Sequence, residues 1–342
     1  MTPARDYDMR YGRNLVKTDS AQWPRYVVVS TPTAWKTAKS FLAREPAGLV
    51  FNEWLDRTHL EETAASLPDD AELAVGIGAG RALDHAKLVA ERKGIPLVQV
   101  PTVVSTGAII HSLCGDWAGR VIHGWAADVV AEYVLVDYEL VLKAPERLNT
   151  AGLGDVLCGY AGLSEWRYNT AKGIGEPFDE SLAAVAIDHH REIVDGFPPT
   201  LADDGSLTDA SVKFIMQAVQ DRDDRMLRHP AAPGADHSFC FSVELANDRY
   251  WIHGETCALG AVMVAWHTEQ NPELLIDRLD RCKVRFRPRD LDMSEDELRR
   301  GLEALPLWMG DAESGRDINS VMRHDPLVGE RFDQAWAWLE GV

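Results

Sequence analysis

The sequence predicts an α/β first half built on a parallel sheet and an all-helical second half. Three observations carry this. Short, continuous β-branched runs alternate with amphipathic, helix-length stretches through the first half. Strand candidates become scarce after about residue 145. The length of 342 residues, at roughly 150 per domain, suits two domains, each large enough for its own core.

In chain order, the strand candidates are 25–30 (RYVVVS), 48–52 (GLVFN), 72–76 (ELAVG), 95–100 (IPLVQV) and 133–137 (YVLVD). Between them, 34–44, 55–66 and 82–93 have helical length. In the last, Leu83, Ala86, Val89 and Ala90 share one face, and Asp84, Lys87, Glu91 and Arg92 lie mostly on the other. Beyond residue 145, helices are expected at 156–168, 182–194, 210–221, 256–269 and 294–305, with loops at Pro198-Pro199, 203–205 and 230–234. The boundary falls within 143–150, giving domains of 1–147 and 148–342.

With 46% hydrophobic and 26% charged residues the chain is not broadly disordered. Its net charge of −19 disfavours nucleic acid and anionic membranes as partners, while leaving room for a small anion held locally. No run of eighteen apolar residues predicts a membrane span, and the polar N-terminus lacks the core of a secretory signal. Cys114, Cys158, Cys240, Cys257 and Cys282 are odd in number and lack paired spacing. They fit buried thiols in a reducing cytoplasm better than a disulfide scaffold or a Cys-based zinc site.

Two loops are candidate ligand sites. Strand 72–76 runs into Gly76-Ile77-Gly78-Ala79-Gly80-Arg81 at the start of a helix. Glycines there let backbone N–H groups approach a phosphate, aided by the helix dipole, although a tight turn without ligand has the same appearance. After the fourth strand, Pro101-Thr102-Val103-Val104-Ser105-Thr106-Gly107 offers hydroxyls at the carboxyl edge of a parallel sheet, where ligands bind.

Of eleven histidines, His59, His189, His190, His229 and His324 sit in polar surroundings and are expected to be solvated. His237, in GADH, and His253, in WIHGE, each precede an apolar helical stretch, and Asp155 closes GLGD at the mouth of a helix. One carboxylate and two imidazoles make a first shell for catalytic zinc or iron with an open position. Their wide spacing is no local motif, and by chemistry alone packed structural histidines account for it better.

Taken in order, GAGRALDHAK, VPTVVST, VDYELVLKAPERLNTAGLGD, EW, GADH and HGETCALG resemble glycerol-1-phosphate dehydrogenase, within the larger group of glycerol dehydrogenase, iron-containing alcohol dehydrogenase and dehydroquinate synthase. The likeness is collinear from about Val75 to Gly260 and loose over the last 70 or so residues. It implies a Rossmann-like dinucleotide domain, a helical metal-binding and substrate domain, a cleft between them, and a homo-oligomer. Carried over by motif, Asp155, His237 and His253 match the metal ligands. Gly78, Gly80, Arg81 and Asp84 match the pyrophosphate loop, and Thr102 and Ser105 match the cofactor-contacting segment.

The departures matter. Where glycerol-1-phosphate dehydrogenases carry a substrate-contacting Asp this chain has Gly107, followed by Ala108. A family Ser is replaced by His111, and a second, substrate-contacting His by Phe241. Each buried polar partner left unpaired costs about 1–3 kcal/mol, which argues against glycerol 1-phosphate as substrate. His111 is a candidate replacement acid or base, with an ordinary packed His as the alternative. Thr31 stands where many relatives place an Asp against the adenosine ribose, so NADP is not excluded, although NAD is favoured because no Arg follows.

The resemblance therefore implies an NAD- or NADP-linked, zinc- or iron-dependent dehydrogenase. It would exchange hydride at the carbinol carbon of an alcohol or polyol whose hydroxyl the metal polarises. A cyclase or lyase of the dehydroquinate synthase type, acting on a sugar phosphate with NAD as recycled oxidant, is the alternative.

Overall fold

The computed structural model describes residues 8–52, 57–111, 113–118, 121–126, 129–226, 229, 234–311, 318 and 320–342. The chain divides into two compact units. One comprises Met1–Asn149 and Leu201–Met216, and the other Thr150–Thr200 and Gln217–Val342.

The first unit holds β1 (Met9–Gly12), α1 (Leu15–Ser20), β2 (Tyr26–Ser30), α2 (Pro32–Ala38), β3 (Gly48–Phe51), α3 (Arg57–Ser66), β4 (Leu73–Gly78) and α4 (Gly80–Lys93). It continues with β5 (Leu97–Pro101), β6 (Leu113–Ala118), β7 (Val121–Ala126), β8 (Tyr133–Asp137) and α5 (Tyr138–Val141). Six strands form one sheet in the order β1-β8-β5-β4-β2-β3, every pairing parallel. β2, β4 and β5 are buried along their whole length. Apolar side chains fill both faces of the sheet, with Val27, Val29, Ala74 and Leu97 on one and Val28, Val75, Val98 and Val100 on the other. This accounts for strands that read as unbroken apolar runs rather than alternating ones.

All five expected strands are present, within two residues. The hairpin of β6 and β7 and the edge strand β1 were not expected. β1 is four residues long and carries Arg10, and the hairpin sequences LCGDWA and VIHGWA hold Gly, Asp and His, which dilute a strand signal. The helix expected at 34–44 ends at Ala38 and tightens into a 3-10 turn at Lys39–Phe41. Thr31 caps it by accepting from the Ala34 N–H at 3.3 Å, so its side chain is engaged in its own helix.

The remaining helices are α6 (Glu146–Leu157), α7 (Gly159–Ala171), α8 (Glu180–Gly196), α9 (Asp209–Met226), α10 (Ala235–Asn247), α11 (His253–His267) and α12 (Pro272–Arg281). After them come α13 (Pro288–Leu291), α14 (Glu295–Met309), α15 (Val321–His324) and α16 (Gly329–Glu340). Residues 209–216 of α9 count with the first unit.

One correction bears on the site. Asp155 is not at the mouth of a helix at 156–168. It lies in the last turn of α6, and a second helix starts at Gly159. Gly152 and Gly154 weaken helix propensity, but packing overrides it: a Cβ on Gly154 would stand 2.4 Å from the Gly254 carbonyl oxygen.

Three histidines expected in solvent are buried. His189 and His190 lie on the apolar face of α8 with Ala186 and Ile193, and burial pushes His190 down to about 3. His229 donates from Nε2 to the Leu182 carbonyl at 2.7 Å. The i,i+3/i+4 pattern of α8, not the polarity of the neighbouring residues in sequence, decides their environment. His324 is exposed as expected, and the His59 side chain lies outside the described residues. All five cysteines are buried and free.

Candidate metal and cofactor sites

The glycine loop follows from how β4 feeds α4. Gly78 adopts φ +153°, and a Cβ there would meet the Ala82 Cβ at 2.8 Å, so only glycine passes this turn without strain. No side chain caps the start of α4. Gly80 packs on Thr106 and Ala108, with Cβ-equivalent distances of 3.4 and 3.7 Å, and Thr102 N–H donates to the Gly78 carbonyl at 2.9 Å. Gly78, Gly80, Arg81, Thr102 and Ser105 are thereby gathered at the carboxyl ends of β4 and β5. The chain reverses its direction of travel across the sheet between β2 and β4, and such a switch point is where a dinucleotide binds in open α/β sheets.

Asp84 is placed differently from a surface contact. It is 7% exposed and pairs with the buried Lys87 Nζ at 2.8 Å. His111 also belongs to the first unit, where its N–H donates to the Gly107 carbonyl at 3.0 Å.

The second unit brings Asp155, His237 and His253 together. Asp155 comes from the end of α6, His237 from the first turn of α10, and His253 from the first residue of α11. Two glycines make the meeting possible. A Cβ on Gly254 would lie 1.8 Å from the Ala151 carbonyl oxygen, so α6 and α11 touch backbone to backbone. Asp155 Oδ1 then lies 3.0 Å from His237 Nε2 and 3.7 Å from His253 Nε2, and the two rings are 5.1 Å apart.

These separations suit a common ion. Two ligands at about 2.1 Å from a tetrahedral metal stand about 3.4 Å apart. The site also passes a chemical test: Asp155 Oδ1, buried between the imidazoles, accepts no well-formed hydrogen bond from any described residue. A divalent cation would satisfy it.

The surroundings orient the three groups. His237 Nδ1–H donates to Asp236 Oδ2 at 2.6 Å, which fixes the ring and turns Nε2 inward. Cys240 Sγ lies 3.2 Å from His253 Nδ1 and stands behind that ring in the same way. Arg222 holds the other oxygen of Asp155, Oδ2, at 2.7 Å. Burial alone would raise the Asp155 carboxyl, but Arg222 and the imidazoles outweigh it and hold it far below the usual range. Burial alone would lower His237, but Asp236 and its neighbours outweigh it and raise it well above an ordinary histidine. Asp155 and Asp236 are thus held as carboxylates, and His237 must release a proton to bind a metal.

Glu165, the acid of the EW pair, is buried beneath this site. It accepts from the Ala235 N–H at 3.2 Å and the Val321 N–H at 2.8 Å, and so pins the start of α10, which carries Asp236 and His237. Phe241 lies against the His253 ring at 5.8 Å between centroids and against Trp308 at 5.7 Å, giving the site an apolar wall.

Sequence reasoning missed Asp236, Arg222, Cys240 and Cys257. Arg222 gives no signal, being one charge in the run DRDDR. Asp236 adjoins His237, and Cys257 follows His253 by four residues on one helix face, so both were findable once the histidines were singled out.

A family model described as iron-containing alcohol dehydrogenase matches residues 20–145. Curated relatives include the glycerol-1-phosphate dehydrogenase [NAD(P)+] of Methanosarcina mazei, 26% identical over 70% of this chain and 66% of that one. The enzyme of the same name from Cenarchaeum symbiosum is 29% identical over 64% and 62%. The matches thus span just under two thirds of these relatives' length. Among solved structures, glycerol dehydrogenase from Schizosaccharomyces pombe superposes with a TM-score of 0.66 at 15% identity, covering 98% of this chain and 90% of that one. Maleylacetate reductase from Agrobacterium tumefaciens gives 0.58 at 17%, covering 87% and 89%. With its parallel sheet and helical remainder, the chain has the iron-containing alcohol dehydrogenase fold and resembles the superfamily of glycerol and iron-containing alcohol dehydrogenases.

Proposed function

We propose that the protein is a metal-dependent, NAD- or NADP-linked dehydrogenase of an alcohol or polyol other than glycerol 1-phosphate. The observation that carries this reading is the convergence of Asp155 Oδ1 with the Nε2 atoms of His237 and His253. Asp236 and Cys240 stand behind the rings. A donor set of one carboxylate and two imidazoles suits zinc or iron.

Bound there, the metal would supply Lewis acidity, lowering the pKa of a substrate hydroxyl and favouring the alkoxide from which hydride leaves. The protein's part is to position. Asp155, His237 and His253 would hold the ion, and Arg222 would keep the carboxylate ionised. Gly78, Gly80 and Arg81, with Thr102 and Ser105, would hold the dinucleotide, its pyrophosphate on the first turn of α4. Asp84 would brace that helix through Lys87. His111 is the remaining candidate acid or base, carried by the first unit.

Phe241, against His253, supports a less polar substrate than a phosphorylated polyol, as does Gly107 where the glycerol-1-phosphate enzymes carry a carboxylate. The five free thiols fit a reducing compartment such as the cytoplasm, and a homo-oligomer is part of the same reading. No described helix is long and apolar enough to cross a membrane.

The test is metal analysis of purified protein beside Asp155→Ala. About one zinc or iron per chain, lost in the variant, is expected. Alcohols and carbonyl compounds would then be screened with both nicotinamides. Protein that takes up no metal after reconstitution would overturn the reading.

A further inference from the structure

A fourth donor stands inside the metal site. The Sγ of Cys257 and the ligand atoms of Asp155, His237 and His253 all lie within 4.8 Å of one another. His253 and Cys257 are one turn apart on the same face of α11, the i,i+4 spacing by which a helix presents two ligands to one ion. Cys257 Sγ is 3.5 Å from His253 Nε2, the nitrogen that faces Asp155, and 3.9 Å from its Nδ1, so it lies beside the ring, and a turn about the cysteine side-chain bond would bring it onto the ion. A thiolate at about 2.3 Å and an imidazole at about 2.05 Å from a tetrahedral ion are about 3.5 Å apart.

Other cysteines of the site do not fit in this way. Cys240 contacts His253 at Nδ1, and Cys158 lies 3.9 Å from His237 at Nδ1, both on the far sides of the rings. Cys257 is fully buried and has no solvent-facing task.

We propose that Cys257 is a fourth metal ligand, closing an Asp-His-His-Cys shell in the substrate-free protein and favouring zinc over iron. The proposal rests on the metal reading above. Thiolate is a softer donor than the carboxylate and imidazoles, and it shifts preference from ferrous iron toward zinc. The thiol proton is released on metal binding, and no redox change is involved. In a closed shell, substrate can approach the ion only if the thiolate leaves or the coordination expands to five.

The test is titration of metal-free full-length protein with cobalt(II), which takes zinc's place and reports its ligands in its spectrum. Wild type is expected to show tetrahedral visible bands together with a near-ultraviolet sulfur-to-cobalt charge-transfer band. Cys257→Ser is expected to keep cobalt binding and lose that band, and Cys240→Ser to keep both. Cys257→Ala, with circular dichroism on every variant, provides a second folded protein should the serine variant not fold. Zinc should displace iron less effectively from Cys257→Ser than from wild type. Wild type binding one cobalt without the charge-transfer band, or a band that survives in Cys257→Ser, overturns the proposal alone. Wild type binding no cobalt overturns the metal reading, and this proposal with it.

Discussion

Replacing Gly254 by alanine should dismantle the metal site without touching a ligand. The new Cβ would sit 1.8 Å from the Ala151 carbonyl oxygen, 2.7 Å from its carbon and 3.2 Å from the Asp155 nitrogen. Both partners are helix backbone, so neither can swing aside. Reaching ordinary contact at 3.4 Å requires about 1.6 Å of separation between α6 and α11. His253 adjoins the substitution, and Asp155 follows Ala151 by one turn, so most of that shift passes to the ligands. The Asp155–His253 separation, now 3.7 Å, would approach about 5 Å. Two ligands of one ion can stand at most about 4.2 Å apart, and metal sites tolerate errors of only about 0.2 Å. One ligand is therefore lost, and zinc affinity should fall by at least about 100-fold, beyond the usual cost of disturbing an outer-shell group. Overpacking should also cost about 3 kcal/mol of stability. The assay is zinc titration against a competing chelator, with thermal unfolding in parallel. Gly94→Ala is the control: it strains a φ of +63° in the first unit, costs about 1 kcal/mol, and leaves metal binding unchanged. A folded Gly254→Ala protein with wild-type zinc affinity would refute the argument that this backbone contact sets the ligand spacing.

Three further outcomes follow. His253→Ala should abolish turnover while leaving dinucleotide affinity nearly intact, because the candidate dinucleotide loops belong to the first unit; calorimetric titration with NAD and NADP checks this, and equal loss of both properties would count against it. Asp236→Asn should weaken zinc binding by about 10–100-fold while the protein stays folded, since the amide holds His237 Nδ1 less strongly than the 2.6 Å carboxylate does; the same chelator competition measures it. Burial pushes Glu165 up to about 7, against the backbone N–H groups that favour its charge. The folded state then binds more protons than the unfolded one, so the stabilising contribution is complete below the ordinary carboxylate range and is lost as pH rises through about 7, on the order of 3 kcal/mol in all. Denaturant unfolding from pH 4 to 8 should show that decline in wild type, and Glu165→Gln should flatten it.

Much of the α/β half was legible because buried parallel strands are written locally. VVV in β2 and LVQV in β5 are continuous apolar runs, and Gly78 ends β4 in a turn that only glycine makes without strain. Its misses were elements whose reason is not local: β1 exists because β8 offers it an edge, and β6 and β7 because they pair with each other. In the helical half, the three candidate ligands do lie together, but their setting was not legible. Arg222 acts on Asp155 from 67 residues along the chain, a distance that leaves no trace in residue order. The surroundings of His189 and His190 were misjudged because neighbours in sequence are not neighbours on a helix face.

By itself, the sequence determined the fold class, the glycine turn at the end of β4 and the chemical type of the candidate donors, because propensity, periodicity and ligand chemistry belong to individual residues and their near neighbours. Only the tertiary structure decided where those donors stand. Asp155 and His253 are almost a hundred residues apart in the chain. What sets them 3.7 Å apart is two glycines that let helix backbones touch. The same contact of α6 with the start of α11 overrides weak local helix propensity around Gly152 and Gly154. It also sets Cys257 beside the other donors, since a ligand shell is a property of packing, in which tenths of an ångström count, and no linear spacing encodes it.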